Sequence, residues 1–188
     1  MPKQILILTG SPRRNGNSDL LADAFVRGAS GGGNQVDKFI SADHRISGCL
    51  GCNNCWRDGK PCVQDDEFND TLAPLLEKAD TIVFCTPLYA YSFPAQIKAP
   101  LDRLFPYGKE SWMTPLKVTE TALIICGADE EEESYHAAIE SYRHLIGFFE
   151  WKNRGELIVP AVNDAGDVLR TDGLARAEAL GKRIGTEG

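Results

Sequence analysis

No apolar stretch in this sequence approaches the roughly 20 residues needed to cross a bilayer, so a membrane-spanning protein is not expected. Residues 1–10 lack the basic start and apolar stretch of a secretory signal, which makes the cytoplasm the expected compartment. Basic residues are in the minority, 20 Lys and Arg against 27 Asp and Glu for a net charge of −7. They are also scattered, which argues against both nucleic acid and a membrane surface as partners. Histidine is scarce: His136 and His144 fall on one expected helix but eight residues apart, a poor ligand spacing, and His44 stands alone. There is no Gly-Lys-Ser/Thr loop and no G-x-G-x-x-G, so neither a Walker A site nor a dinucleotide fingerprint is present. Internal repeats and low-complexity linkers are missing as well.

What is there is an ordinary globular composition, 43% apolar and 25% charged over 188 residues. That is enough for one domain with a real core. The expectation is a single domain over residues 1–188 with a Cys-rich insertion at about 45–66.

Against this background the cysteines stand out: Cys49, Cys52, Cys55, Cys62, Cys85 and Cys126, the first four within fourteen residues. In a reducing compartment such spacing points to metal or redox chemistry before structural disulfides. Gly48 and Gly51 relax the backbone of the run, and Pro61 stiffens the approach of its last thiol. Four soft ligands suit an iron–sulfur cluster or zinc, zinc less so because its sites usually pair two separated knuckles. Free or reversibly oxidised thiols are the third reading. Cys85 and Cys126 end apolar runs and read as small core residues.

Apolar, β-branched runs at 5–8, 81–85, 122–126 and 157–159 read as buried strands, with a weaker one at 36–40 that contains Asp37 and Lys38. Between them, apolar residues recur at helical spacing: Leu21, Ala24, Phe25, Gly28; Phe68, Leu72, Leu75, Leu76; Ile97, Leu101, Leu104, Phe105; Tyr135, Ile139, Tyr142, Ile146, Phe149; and Leu174, Ala177, Leu180, Ile184. Strict β-α alternation predicts an α/β fold, a five-stranded parallel sheet with helices on both faces. The order 2-1-3-4-5 places the polar 36–40 strand and the strand ending at Pro160 on the edges, where proline is tolerated.

Residues 10–18, Gly-Ser-Pro-Arg-Arg-Asn-Gly-Asn-Ser, follow a strand and open a helix. Glycines let backbone N–H groups turn inward, Arg13 or Arg14 supplies charge, and the helix N-terminus adds a favourable dipole. A phosphate monoester fits such a loop; the plain alternative is a β-α turn with Ser18 as N-cap. Asp65 and Asp66, ahead of the helix at Phe68, read as capping residues. The acidic run 129–133 reads as a solvated helix start, with guidance of a redox partner as the sharper alternative.

The 10–18 loop, the run 49–62 followed by Asp65-Asp66, and Thr86-Pro87-Leu88-Tyr89 through Lys98 to Asp102-Arg103 together resemble the NADPH-dependent FMN reductase family of flavodoxin-like proteins. Within it the match is to the iron–sulfur flavoprotein branch. These motifs span residues 10–103; the later elements match only in layout. The resemblance implies that Ser11, Arg13, Gly16, Asn17 and Ser18 hold the FMN phosphate and that Pro87, Leu88, Tyr89, Ala90 and Ser92 frame the isoalloxazine ring, with Gly127 and Ala128 as a third wall. It further implies a [4Fe–4S] cluster on Cys49, Cys52, Cys55 and Cys62, although related reductases keep part of this pattern without a cluster. No side-chain catalyst is expected, since the chemistry belongs to the flavin. The implied activity is an FMN-dependent oxidoreductase carrying electrons from NAD(P)H or a redox partner to a quinone, flavin, aromatic or protein acceptor. A non-enzymatic electron carrier is the alternative, and a zinc-stabilised binding module the third. A homodimer or homotetramer is implied too, and Phe105, Tyr107, Trp112, Phe148, Phe149 and Trp151 offer apolar surface for it or, equally, for the core.

Overall fold

The structure, a computed structural model, describes residues 2–186. Strands β1 (Gln4–Thr9), β2 (Gln35–Ile40), β3 (Thr81–Pro87), β4 (Glu120–Cys126) and β5 (Lys152–Val159) form one parallel sheet in the order β2-β1-β3-β4-β5. This is the expected topology. The three inner strands are covered on both faces and so read as continuous apolar runs. Their side chains alternate: Ile5, Ile7, Val83 and Ile124 face one layer, and Leu6, Leu8, Phe84 and Leu123 the other.

The first layer is made by α1 (Asn17–Ala29) and α5 (Gly173–Thr186). They approach closely because glycine stands at the crossing: a Cβ on Gly28 would lie 2.0 Å from the Glu178 carbonyl oxygen, and one on Gly181 2.3 Å from that of Phe25. The opposite layer contains α2 (Ala73–Lys78), α3 (Ala95–Asp102) and α4 (His136–Phe149). A single π-helical turn, Phe68–Leu72, leads into α2. Among the described residues no helix is long and apolar enough to cross a membrane.

The last strand differs from the expectation of 157–159, for it begins at Lys152. Lys152 and Asn153 pair with Glu120 and Thr121, and an irregularity in register precedes the pairing of Glu156 with Leu123. An edge strand has one neighbour and one open side, so it tolerates a polar first half that carries no apolar signal. The third helix also stops at Asp102 rather than running through Phe105, and a 3-10 turn Phe105–Tyr107 follows. The six large aromatics divide: Tyr107, Phe149 and Trp151 are buried, whereas Phe105, Trp112 and Phe148 are exposed and in ring contact.

Candidate functional site

Sheet topology decides where a ligand fits. The chain leaves β1 and β3 towards opposite layers, and the divergence opens a crevice beyond their carboxyl ends. A cleft of about 200 Å³ lies there, lined by Ser11, Arg13, Gly16, Asn17, Ser18, Pro87, Leu88 and Tyr89, together with Cys126, Gly127 and Ala128 after β4 and Val162, Asn163 and Ala165 after β5.

Gly10 starts the first wall. Its N–H donates to the Cys85 carbonyl at 2.9 Å, and a Cβ there would sit 2.4 Å from Thr86 Oγ1, so the loop can cross β3 only without a side chain. Ser11 is buried, and its Oγ accepts the Arg13 N–H at 3.0 Å, tightening the turn. Asn15, held at φ 55°, donates its N–H to Asp19 Oδ2 at 2.8 Å. The two arginines separate: Arg14 pairs with Asp43 away from the cleft, while Arg13 stays at its rim, where Nη1 reaches the Asn163 carbonyl at 3.5 Å. Gly16, not Ser18, is the N-cap of α1, and Ser18 lies buried in its first turn, where backbone N–H groups have no partner within the helix. Arg13 is the one charged residue of the lining, in a chain of net charge −7.

Asn17 lines the cleft and also bridges to a second loop. Its Nδ2 donates to the Asp164 carbonyl at 2.9 Å, and its Oδ1 accepts the N–H groups of Gly166 and Val168 at 3.1 and 3.2 Å. The carboxamide therefore ties the loop after β5 to the start of α1, leaving one Nδ2 hydrogen and its backbone for a ligand. That loop, with Val162, Asn163 and Ala165, escaped the sequence reading. The Asn163 to Gly166 turn signal after the last strand was its only trace.

On the second wall, Leu88 N–H donates to the Cys126 carbonyl at 2.7 Å, pinning the loop after β3 to β4. Tyr89 and Ser92 then exchange backbone hydrogen bonds at 3.0 and 2.9 Å around Ala90 and Tyr91, both with positive φ (46° and 61°). This tight two-residue turn needs the left-handed conformation at both centres, a strained choice for residues with a Cβ. The cleft lining takes in Pro87, Leu88 and Tyr89 but not Ala90 or Ser92, which belong to the projecting turn. Gly127 and Ala128 also line the cleft. Cys85 and Cys126 are buried; burial pushes the Cys126 thiol up to about 12, so it presents a neutral S–H to the cleft, and Cys85 donates to the Ser18 carbonyl at 3.1 Å.

The thiol run forms an irregular loop on the α3 side of the sheet. Cys49 and Cys52 are exposed, and Cys55 and Cys62 are half-buried. Burial, followed by the charges of Cys62, Cys49 and Cys52, raises the pKa of Cys55, so the other three sulfurs lie within electrostatic reach of Cys55. Gly51 N–H donates to Cys49 Sγ at 3.4 Å and Gln64 Nε2 to Cys62 Sγ at 3.8 Å. Among the described residues no three ligating groups are drawn together tightly enough to hold a metal. Asp66 caps as expected, accepting Phe68 N–H at 3.1 Å, while Asp65 stays exposed. His44 stacks on Phe39 at 4.3 Å and meets Glu67 at 3.0 Å; His136 and His144 are on the surface. A larger cavity, about 590 Å³, lies between Trp56, Pro61, α2 and Tyr107, but its charged residues are of both signs.

A cationic cleft at the switch point of a 2-1-3-4-5 parallel sheet, walled by a Gly-Ser loop and a helix N-terminus, defines a flavodoxin-like α/β protein. Comparison narrows the class. The chain belongs to the NADPH-dependent FMN reductase family, whose model matches residues 4–143. It is 32% identical over 126 residues to an iron–sulfur flavoprotein of Archaeoglobus fulgidus, a stretch covering 67% of this chain and 56% of that protein. To an iron–sulfur flavoprotein of Methanosarcina thermophila it is 26% identical over 140 residues, covering 74% and 72%. The chain thus spans little more than half the length of the Archaeoglobus relative. An NAD(P)H:quinone oxidoreductase structure from Methanothermobacter marburgensis covers 100% of this chain and 98% of its own with a TM-score of 0.77 at 20% identity, a likeness of fold.

Proposed function

We propose that this chain is a single FMN-binding domain acting as an oxidoreductase, passing electrons from NAD(P)H or a redox partner to a quinone, flavin, aromatic or protein acceptor in a reducing cytoplasm. The observation that carries the reading is the cleft itself, with one guanidinium, no carboxylate and the first turn of α1 at the switch point. Ser11, Arg13, Gly16 and Ser18 receive the phosphate through backbone N–H groups, hydroxyls and the Arg13 charge. Asn17 holds the opposite loop in place. Pro87, Leu88 and Tyr89 form the bed of the ring, Gly127 and Ala128 face it, and the turn bearing Ala90 and Ser92 is its outer rim. Bound FMN supplies hydride acceptance and electron transfer singly or in pairs. The protein's part is orientation and exclusion of water, and the neutral Cys126 thiol adds no charge beside the ring.

The cleft is smaller than the roughly 300–1,000 Å³ that usually encloses a ligand of this kind. One chain therefore covers only part of the flavin. Separately, the exposed strip of Phe105, Trp112 and Phe148, outside the cleft lining, offers apolar surface to a second copy, and we read the protein as a homodimer or homotetramer.

The thiol loop fits an iron–sulfur cluster in its donor chemistry: four soft ligands, three of them within electrostatic reach of Cys55 and two already accepting weak hydrogen bonds from the loop. Cys49, Cys52, Cys55 and Cys62 would hold it, and it would supply single-electron transfer.

One anaerobic experiment tests both parts: FMN and iron content and absorption spectrum of the purified protein, before and after adding NADH or NADPH. Flavin bleaching by a nicotinamide and about four irons per chain are expected. Failure to bind FMN overturns the flavin reading, tight zinc without iron overturns the cluster, and reduction only by a ferredoxin-like protein makes the chain an electron carrier.

A further inference from the structure

Arg103 closes α3 and is only 2% exposed. Its guanidinium lies 4.4 Å over the ring of Phe68. Nη1 donates to Asp66 Oδ2 at 2.5 Å and to the Ser47 carbonyl at 3.3 Å, whereas Nε and Nη2, both buried, meet no acceptor among the described residues. A buried cation with unmet donors is costly, and an apolar side chain would pack there without that cost. Such a residue calls for a reason beyond packing.

Its partners supply one. Ser47 stands two residues before Cys49 and Asp66 four after Cys62, so a single nitrogen bridges the two ends of the thiol loop. Asp66 doubles the bridge by accepting the Ser47 N–H at 2.9 Å. Burial raises the Asp66 pKa, but the Arg103 hydrogen bond and the two backbone N–H groups outweigh it and keep the carboxylate ionised. The strut behind the bridge is α3, whose eight residues span about 12 Å. Its first turn follows the loop that lines the cleft, and its last holds the thiol loop.

We propose that Arg103 is the positioning residue of the thiol loop: it draws Ser47 and Asp66 together on the end of α3, so that the two ends of the loop that carries the four cysteines are held at one buried point. The purpose assigned to this latch rests on the cluster reading above; the latch itself rests on the contacts. Partners hydrogen-bonded directly to metal ligands typically change metal affinity 10- to 100-fold; Arg103 acts one step further back, through Ser47 and Asp66, so that range is the ceiling for its effect.

The test uses the full chain as wild type, Arg103→Met, Arg103→Lys and the double variant Arg103→Met with Asp66→Asn, which leaves no unpaired buried charge. Each is reconstituted anaerobically with iron and sulfide and read for iron loss to a chelator, for protease cutting within residues 48–65 of the metal-free protein, and for FMN content as a control of the fold. The double variant should lose iron faster, by at most about 10- to 100-fold, and be cut faster, with FMN retained. Arg103→Lys should recover most of the protease protection, because one nitrogen makes both contacts. If the wild type takes up no iron, the cluster reading fails while the protease arm still decides the latch. A double variant as protected as wild type overturns the latch, and parallel loss of FMN overturns its specificity for the thiol loop.

Discussion

Replacing Arg13 by alanine removes the one charged side chain of the cleft lining. A hydrogen bond to a charged group contributes roughly 1.5–3 kcal/mol. Arg13 is exposed, so the lower end applies, and about 1.5 kcal/mol corresponds to roughly a tenfold rise in Kd for FMN. Ser11→Ala acts differently. It removes the acceptor of the Arg13 N–H at 3.0 Å and loosens a buried turn, which disorders the backbone donors that face the phosphate. Riboflavin carries the same ring without the phosphate and should bind all variants nearly alike. The Arg13 effect should also shrink with added salt, as screening shortens to about 8 Å near 0.15 M. Flavin-fluorescence titrations with both ligands at two ionic strengths measure all of this. Equal loss of riboflavin and FMN, or no loss of either, would refute the phosphate assignment.

Gly10→Ala forces a Cβ to within 2.4 Å of Thr86 Oγ1 and 2.9 Å of Ile97 Cγ2, so β1 and β3 must part at the cleft; a cost of about 1–3 kcal/mol is expected, read as a lower urea midpoint with weakened FMN binding. Tyr89→Ala should speed flavin release and shift the flavin spectrum with the denaturation midpoint unchanged, because Tyr89 is 38% exposed and contributes little to the core; an unaltered flavin places Tyr89 outside the site. At Glu120, burial raises the pKa, but Lys3 and Arg154 outweigh it and hold the carboxyl below its ordinary range. Its ionised form therefore stabilises the fold at neutral pH, and the contribution fades as pH falls through the acid range below about 4.3. Glu120→Gln should be less stable than wild type at pH 7, and the gap should narrow as pH is lowered below about 4.3; a gap that stays constant down the acid range would contradict this.

The inner sheet was legible in residue order alone. The runs at 5–8, 81–85 and 122–126 are apolar throughout because both of their faces are covered, and Val36 to Ile40 carries polar residues because it lies on an edge. The 10–18 loop was legible for a related reason: turning backbone N–H groups inward takes glycine and small polar residues in consecutive positions, and local chemistry is written locally. The first half of β5 was not, since Lys152, Asn153 and Arg154 gain strand structure only from the neighbour they pair with. Loop chemistry alone left Arg13 and Arg14 equivalent, the family resemblance favoured Arg13, and the fold gives the physical reason by bringing Asp43 to Arg14 and the cleft to Arg13. That Asn17 also ties down the loop after β5, nearly 150 residues later, could not be read from the loop it sits in. Arg103 was one motif letter among several, and its burial against Phe68, Ser47 and Asp66 is a property of three segments meeting. Backbone conformation and apolar pattern are set by neighbours along the chain, whereas the partner that takes each polar group depends on distances the chain acquires only when it packs.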